Sequence, residues 1–180
     1  MEYRSSGRKR FGGGLSQMKL LHSTVPYNFA GIPDPDMASY EKARIVVLPV
    51  PFDSTTSFGA GARNGPHAII NASRFMEWYD EEIDFEAAKQ GIATLEELEP
   101  VRANAEETVK RVEEVVEKIL GDKKFPVVLG GEHTISCGAV NAVKKLEKDF
   151  SVLSFDAHAD LRDEYEGSKF SHACTASRIS

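Results

Sequence analysis

The sequence predicts an α/β domain of three layers, with helices on both faces of a mainly parallel sheet. Three apolar runs of strand length, at 45–50, 125–129 and 151–155, are rich in the β-branched residues of buried parallel strands. Segments with helical periodicity lie between these runs. The order strand, helix, strand, helix, strand is typical of parallel sheets joined by right-handed crossovers.

The helical segments are predicted from caps, stops and apolar spacing. A helix from Pro66 to Tyr79 is expected because proline favours a first helical turn. Its partly buried side chains are predicted to be Ile69, Ile70, Phe75 and Met76. The range 104–121 has the clearest helical spacing, with an asparagine cap and a glycine stop. Another helix is predicted over 136–148, with Val140, Val143 and Leu146 on one side, and the acidic run 80–86 is predicted to be a solvated loop.

Composition separates a short arm from one domain. Residues 1–17 are basic and glycine-rich without the apolar segment of a secretory signal, and they are predicted to be a disordered arm or a cloning remnant. Residues 18–180 are long enough for a single domain. The net charge of −6 disfavours nucleic acid and anionic membranes as main partners. Two distant cysteines and no secretory signal indicate no disulfide framework and a cytoplasmic location.

Polar residues follow two of the predicted strands, at the edge where ligands bind in open parallel sheets. The sequence GGEHT, which includes His133, follows the second strand, and DAHAD follows the third. In an extended chain Asp156, His158 and Asp160 would project to one side. One imidazole and two carboxylates suit Mn²⁺, Fe²⁺ or Zn²⁺, so a divalent-metal site is predicted, with His133 as a further ligand.

Each of these residues also has an ordinary structural interpretation. His133 could cap the following helix, and an Asp-x-His pair could cap a strand end. The glycines before Glu132 lack the pattern of a nucleotide-binding loop, so they are expected only to let the backbone turn. His172, twelve residues after Asp160, could be a surface histidine or could transfer protons beside a metal-bound water.

Three segments together resemble the ureohydrolase family, which contains arginases and agmatinases. The sequence GARNGPHAII at 61–70 is similar to an early family motif of the form GAR-x-GP-x-AI. Residues 130–134 resemble the GG-D/E-H-S/T motif, and residues 156–160 resemble the DAHxD motif, followed by a histidine of the SHxT type at His172. The resemblance runs from about Ile45 to the end of the chain and implies an arginase-like fold.

The resemblance also implies roles for individual residues. His133, Asp156, His158 and Asp160 would be ligands of a centre with two Mn²⁺ ions, and His172 would shuttle protons. In the family a metal-bridging hydroxide attacks the guanidinium carbon and releases urea and an amine. The tail after Asp160 looks most like agmatinases, which convert agmatine to putrescine and urea, because arginases usually carry asparagine where this chain has arginine at position 162.

One departure from the family limits what the chain is expected to do. The third metal motif, SxDxDxxDP, is absent, so four of six expected ligands are present. Residues 18–180 therefore resemble the N-terminal part of a single arginase-like domain whose C-terminal strands are missing, and this truncated chain is expected to be inactive by itself. The full-length form is expected to be a homo-oligomer that takes a small guanidino substrate.

Other functions stay open on the sequence. The chain could be a non-catalytic metal-binding fragment or pseudoenzyme that associates with a complete subunit. It could also hydrolyse another guanidino or formimino compound within the same family. A zinc deacetylase shares an Asp-x-His ligand pair, although GGEHT and Asp160 favour a centre with two metals. A purely structural scaffold would leave the array of ligand-type residues unexplained.

Overall fold

The computed structural model describes residues 27–180, so the predicted arm at 1–17 lies outside the described residues. The strands are β1 (Ile45–Val50), β2 (Tyr79–Asp80), β3 (Phe85–Glu86), β4 (Ile92–Thr94) and β5 (Phe125–Gly130). The central sheet has the order β4-β1-β5, and both of its pairings are parallel. The strands β2 and β3 form a small antiparallel pair, and the acidic run 80–86 lies on this largely exposed pair and its turn.

The helices are α1 (Pro35–Ala38), α2 (Gly65–Ser73), α3 (Ala105–Gly121), α4 (Ser136–Leu146) and α5 (Thr175–Ile179). Single 3-10 turns occur at Phe29–Gly31, Ala62–Asn64, Ala87–Gln90, His133–Ile135 and His172–Cys174. The side chain of Asn104 accepts a hydrogen bond from the backbone N–H of Glu107, as predicted for the cap of α3. The predicted helices over 104–121 and 136–148 are therefore present, the second ending at Leu146.

The central sheet has an apolar core on each face. Val46 and Leu48 of β1 pack in a cluster with Val112 and Val116 of α3. Val47, between them in sequence, packs in the opposite cluster with Ile32 and other residues that precede or follow the strand. Because neighbouring side chains of a strand point to opposite faces, this division places packed layers on both sides of the sheet. The prediction of a three-layer α/β fold with a mainly parallel sheet is confirmed.

The prediction of a third sheet strand at 151–155 is wrong for this structure. The segment belongs to no strand, and the side chains of Leu153 and Phe155 are 80% and 94% exposed. No segment within residues 27–180 pairs with the second edge of β5. An apolar run supplies strand propensity, but a strand also needs backbone hydrogen bonds to a neighbour, and this segment forms none with the open edge of β5.

Two helices bury different residues from those that the apolar pattern indicated. Helix α2 ends at Ser73 instead of Tyr79, and only Ile70 of its four predicted apolar side chains is buried. Helix α4 buries the small residues Cys137, Gly138 and Ala142 instead of its larger ones. A Cβ on Gly138 would lie 2.8 Å from the Cβ of Val112. The close approach of α3 and α4 explains why small residues line that face.

Cys137 and Cys174 are both free and buried. Burial raises the pKa of the Cys137 thiol to about 11, so this thiol stays protonated at neutral pH. Within residues 27–180, none of the helices has the length and apolar character to cross a membrane. A cytoplasmic location stays a prediction.

Candidate metal centre

The candidate site lies beyond the carboxyl ends of β1 and β5. These strands pair in parallel up to Val50 and Gly130, so the segments that follow them leave the sheet at the same edge. The pairing continues past the strands, because Gly131 N donates to Val50 O and Glu132 N donates to Phe52 O at 3.0 Å. The residues after β5 are therefore held against the loop after β1 by backbone hydrogen bonds, and they deliver His133 to the edge of the sheet.

Gly131 permits this close contact because it has no side chain. A Cβ at this position would overlap the carbonyl oxygen of Phe52 and would lie 2.8 and 2.9 Å from the carbonyl carbon and amide nitrogen of the same residue. Phe52 is itself fully buried and cannot move aside without disturbing the core. Gly131 is therefore needed for a steric reason, because any side chain at this position would collide with the backbone of Phe52.

One group of potential metal ligands occurs within residues 27–180. It consists of His133, Asp156 and Asp160, whose ligand atoms all lie within 4.8 Å of one another. The Nδ1 atom of His133 lies 2.7 Å from Asp160 Oδ2 and 3.4 Å from Asp156 Oδ2. The side chain of Asp160 is 11% exposed, and the other two are just over a quarter exposed. The structure thus brings together three of the four ligands that the sequence predicted.

His158 lies at the margin of this group. Its Nδ1 is 3.5 Å from Asp156 Oδ1, and its side chain is 82% exposed. The predicted alternation of side chains required an extended chain, whereas the segment is bent and Asp160 has a left-handed backbone with φ of 47°. This conformation, which aspartate tolerates better than most residues, directs Asp160 to His133 without aligning His158. The role of His158 as a ligand stays a prediction.

The charge state of Asp156 suits a metal ligand. The backbone N–H of His158 donates to Asp156 Oδ1 at 2.8 Å. This hydrogen bond, reinforced by the nearby His133, holds the pKa of the Asp156 carboxyl below its usual range despite partial burial. Carboxylates must be deprotonated to bind metal, and the lowered pKa of Asp156 favours that form.

His172 lies beside the loop after β1, outside the group of three candidate ligands. It begins the 3-10 turn that leads into α5, and its Nδ1 lies 3.3 Å from Thr55 Oγ1. The Oε2 atom of Glu132 lies 3.9 Å from the same nitrogen. The side chain of Glu132 is 2% exposed and accepts hydrogen bonds from the backbone N–H groups of Ser54 and Thr55. A buried carboxylate therefore adjoins the predicted proton-shuttling histidine.

Sequence reasoning missed the parts played by Glu132 and Thr55. The sequence patterns give Glu132 only a place in the GG-D/E-H-S/T motif, and they give Thr55 none. The signal that could have found Thr55 is its position, because it follows β1 at the same sheet edge as the predicted ligands.

Asp53 organises the loop that carries Thr55. Its side chain is 1% exposed, forms an ion pair with Arg63 Nε at 3.0 Å, and accepts from the backbone N–H of Gly61 at 2.7 Å. Burial by itself would raise the pKa of Asp53, but the hydrogen bonds from Arg63 and Gly61 outweigh it and hold the pKa below its usual range. The carboxylate thereby ties the start of the loop to its end.

The substitution Asp53→Asn is expected to lower the free energy of unfolding at pH 7 by about 1–3 kcal/mol, because it weakens buried hydrogen bonds. A carboxyl with a lowered folded pKa stabilises above its unfolded pKa, about 3.9, and this contribution is lost as pH falls through the folded value. Urea unfolding should therefore show the difference between the two proteins shrinking below about pH 4.

Asp36→Asn is the matched control, because Asp36 forms an ion pair with Lys42 in which both side chains are more than half exposed. We expect its effect to stay within about 0.5 kcal/mol. Equal effects of the two substitutions at pH 7 would contradict the role assigned to Asp53.

The donor set fits a divalent cation. One imidazole nitrogen and two carboxylate oxygens at mutual ligand distances form a hard to borderline set, which Mn²⁺, Fe²⁺ and Zn²⁺ accept and which copper(I) does not prefer. The backbone strain at Asp160 lies at this site, where such strain is commonly functional. The fold and this group define an α/β protein with a candidate metal centre at the carboxyl edge of its sheet.

Comparison with known proteins identifies the family. The arginase family model matches residues 43–180, and the chain belongs to the arginase family. The N(1)-aminopropylagmatine ureohydrolase of Thermococcus kodakarensis is 43% identical over 142 residues, 78% of this chain and 48% of that protein. The crystal structure of agmatine ureohydrolase of Thermoplasma volcanium is 34% identical, with a TM-score of 0.76 over 91% of this chain and 51% of that one.

A formiminoglutamase of Trypanosoma cruzi, whose crystal structure was determined with Mn²⁺, is similar at 25% identity. Its TM-score is 0.67, over 78% of this chain and 48% of that one. The predicted resemblance to ureohydrolases is confirmed by these matches. The chain spans about half the length of the curated relatives that it matches.

Proposed function

We propose that this chain contributes part of the metal centre of a ureohydrolase that acts on a guanidino compound such as agmatine or N(1)-aminopropylagmatine. The observation that carries the proposal is the convergence of His133, Asp156 and Asp160 on one small volume at the carboxyl edge of the sheet. The names of similar proteins support this class of reaction, and one similar structure contains Mn²⁺.

In the proposed reaction a pair of divalent ions would supply a water of lowered pKa for hydrolysis of the guanidino carbon. His133, Asp156 and Asp160 would hold the ions, with His158 as a further ligand, and the hydrogen bond from His158 N lowers the pKa of the Asp156 carboxyl. His172 would transfer a proton, because it lies beside Glu132, the residue before His133, and an imidazole changes charge near neutral pH.

The preference for a substrate without an α-carboxylate is also part of the proposal. Position 162 carries arginine, where arginases usually have an asparagine that helps to hold the amino-acid end of arginine. The guanidinium carbon of Arg162 lies 4.9 Å from the centre of the Tyr165 ring, and that ring meets the ring of His172 edge-on. Arg162 is thus engaged with an aromatic neighbour of the candidate proton-transfer group.

A chimera tests the proposal in a full-length enzyme, because the relative supplies the remainder of the protein. Residues 43–180 would replace the matching segment of the Thermococcus kodakarensis ureohydrolase, and urea release would be measured with Mn²⁺. We expect release from agmatine or N(1)-aminopropylagmatine and much less from arginine. His172→Ala in the chimera should lower the rate by about 10²–10⁴-fold, the usual contribution of a general acid or base.

His67→Ala is the matched control, because His67 is an exposed histidine of α2 that does not belong to the group of three candidate ligands. It should leave the rate within about twofold, as expected for a surface substitution. A folded chimera that binds Mn²⁺ and releases urea from none of these compounds would defeat the proposed function.

A non-catalytic metal-binding protein is the second candidate for the 180-residue chain itself. The described residues hold a group of three ligand side chains, whereas the family resemblance implies six. We therefore expect the isolated chain to bind Mn²⁺ without releasing urea from agmatine. Urea release that disappears on His158→Ala would show instead that the isolated chain is catalytic.

A further inference from the structure

One hydroxyl group joins Glu132 to His172. Thr55 Oγ1 donates to Glu132 Oε2, accepts from the backbone N–H of His172 at 3.1 Å, and lies 3.3 Å from His172 Nδ1. The other carboxylate oxygen of Glu132 accepts from the backbone N–H groups of Ser54 and Thr55. The loop after β1, the turn after β5 and the turn before α5 thus meet at a single, partly buried junction.

The protons at this junction can be counted. An ionised carboxylate only accepts hydrogen bonds, and a hydroxyl has one proton to donate. Because the proton of Thr55 is directed to Glu132, only lone pairs of Thr55 remain to face His172. A hydrogen bond between Thr55 Oγ1 and His172 Nδ1 then requires that Nδ1 carries the proton.

The neighbouring Ser171 is compatible with this assignment. Its Oγ lies 3.4 Å from His172 Nδ1, so an Nδ1–H group can be shared between the two hydroxyl oxygens. The opposite arrangement, in which Ser171 donates to Nδ1, would set the lone pairs of Nδ1 and Thr55 Oγ1 against each other. The charge of Glu132, 3.9 Å from Nδ1, also favours a proton on that nitrogen.

We propose that Thr55 and Glu132 are positioning residues that fix His172 in the tautomer protonated on Nδ1, which leaves the lone pair on Nε2. A neutral histidine can accept a proton only at its unprotonated nitrogen, so the junction determines which ring atom can act as a base. The catalytic use of Nε2 rests on the proposed ureohydrolase function, whereas the tautomer itself follows from the hydrogen bonds alone.

Nuclear magnetic resonance can read the tautomer directly. The 180-residue chain would be labelled with ¹⁵N-histidine, freed of metal with a chelator, and studied above about pH 8, where an ordinary histidine is neutral. Long-range ¹H–¹⁵N correlations distinguish the two tautomers, and H172Q identifies the signals of this ring. We expect the wild-type ring of His172 to be mainly protonated on Nδ1.

Two substitutions of Thr55 separate the hydroxyl from its side-chain shape. Thr55→Val keeps the shape and removes the hydroxyl, so the ratio of Nδ1–H to Nε2–H forms should fall by about fivefold, the equivalent of one hydrogen bond. Thr55→Ser keeps the hydroxyl and should keep the wild-type ratio. A merely structural role for Thr55 would not move this ratio.

Two results would overturn the inference: a wild-type ring protonated mainly on Nε2, or an unchanged ratio in T55V. The wild-type spectrum decides even if T55V does not fold. Because this measurement uses metal-free protein and no substrate, its outcome is independent of the chimera assay. Urea release by the chimera together with a His172 ring protonated on Nε2 would reject the positioning role alone. A ring protonated on Nδ1 together with no urea release would reject the proposed function alone.

Discussion

Gly131→Ala is expected to lower the free energy of unfolding by about 4 kcal/mol or more, the range of the most damaging single substitutions. The added methyl group would overlap the carbonyl oxygen of Phe52, which is backbone and cannot rotate away. Relief would require separating the segments after β1 and β5, which are joined there by the hydrogen bond from Glu132 N to Phe52 O. Because Glu132 and His133 follow directly, the same movement would also displace the candidate site.

Urea unfolding followed by circular dichroism would measure the change, with Gly121→Ala as the matched control. Gly121 is the last residue of α3, and a Cβ there would meet no atom within 4 Å. Alanine at this position is expected to be neutral or to stabilise the protein by up to about 1 kcal/mol, because glycine is a poor helix former. If G131A unfolded at the same urea concentration as the wild type, the steric argument would be wrong.

Asp160→Asn is expected to weaken Mn²⁺ binding by at least about 100-fold, since losing even a partner of a ligand commonly costs 10–100-fold. The amide keeps the shape of the side chain but removes the negative charge that faces His133 Nδ1 at 2.7 Å. Asp160 is also the least exposed of the three candidate ligand side chains, so water compensates little for the lost charge.

Calorimetric titration of the 180-residue chain with Mn²⁺ would test this expectation, with Asp163→Asn as the matched control. Asp163 lies three positions further along, is 72% exposed and forms ion pairs with Lys169 and Arg178 outside the ligand group. We expect D163N to bind Mn²⁺ as the wild type does. Equal affinity of D160N and wild type would remove Asp160 from the candidate centre, and with it the observation on which the proposed function depends.

Local patterns in the sequence predicted a large part of the fold. The helix over 104–121 and the strands at 45–50 and 125–129 were recognisable because apolar periodicity, an asparagine cap and β-branched runs act over a few residues. The parallel arrangement followed from the order of these elements. His133 could be predicted at the edge of the sheet because it follows β5, whereas Asp156 and Asp160 come close to His133 without the strand that was predicted before them.

Other features depended on contacts between distant segments. The run 151–155 has strand composition but no pairing partner among the described residues. The large apolar side chains of α4 suggested which side of this helix is buried, yet the buried residues are small ones. The distance between two packed helices depends on the side chains that both helices place at the contact, so the sequence of α4 alone does not predict it. The extended backbone predicted for Asp156 to Asp160 is not present, because Asp160 has a left-handed conformation.

The sequence by itself determined the α/β class, the family resemblance and the kinds of side chain available at the edge of the sheet. The tertiary structure decided which of them meet: His133 with Asp156 and Asp160, and His172 with Thr55 and Glu132. Residue type and spacing set local backbone preferences and chemical capacity. Which groups converge depends on long-range packing and on exceptions such as Gly131 and Asp160, whose conformations are stabilised by residues far away in the chain.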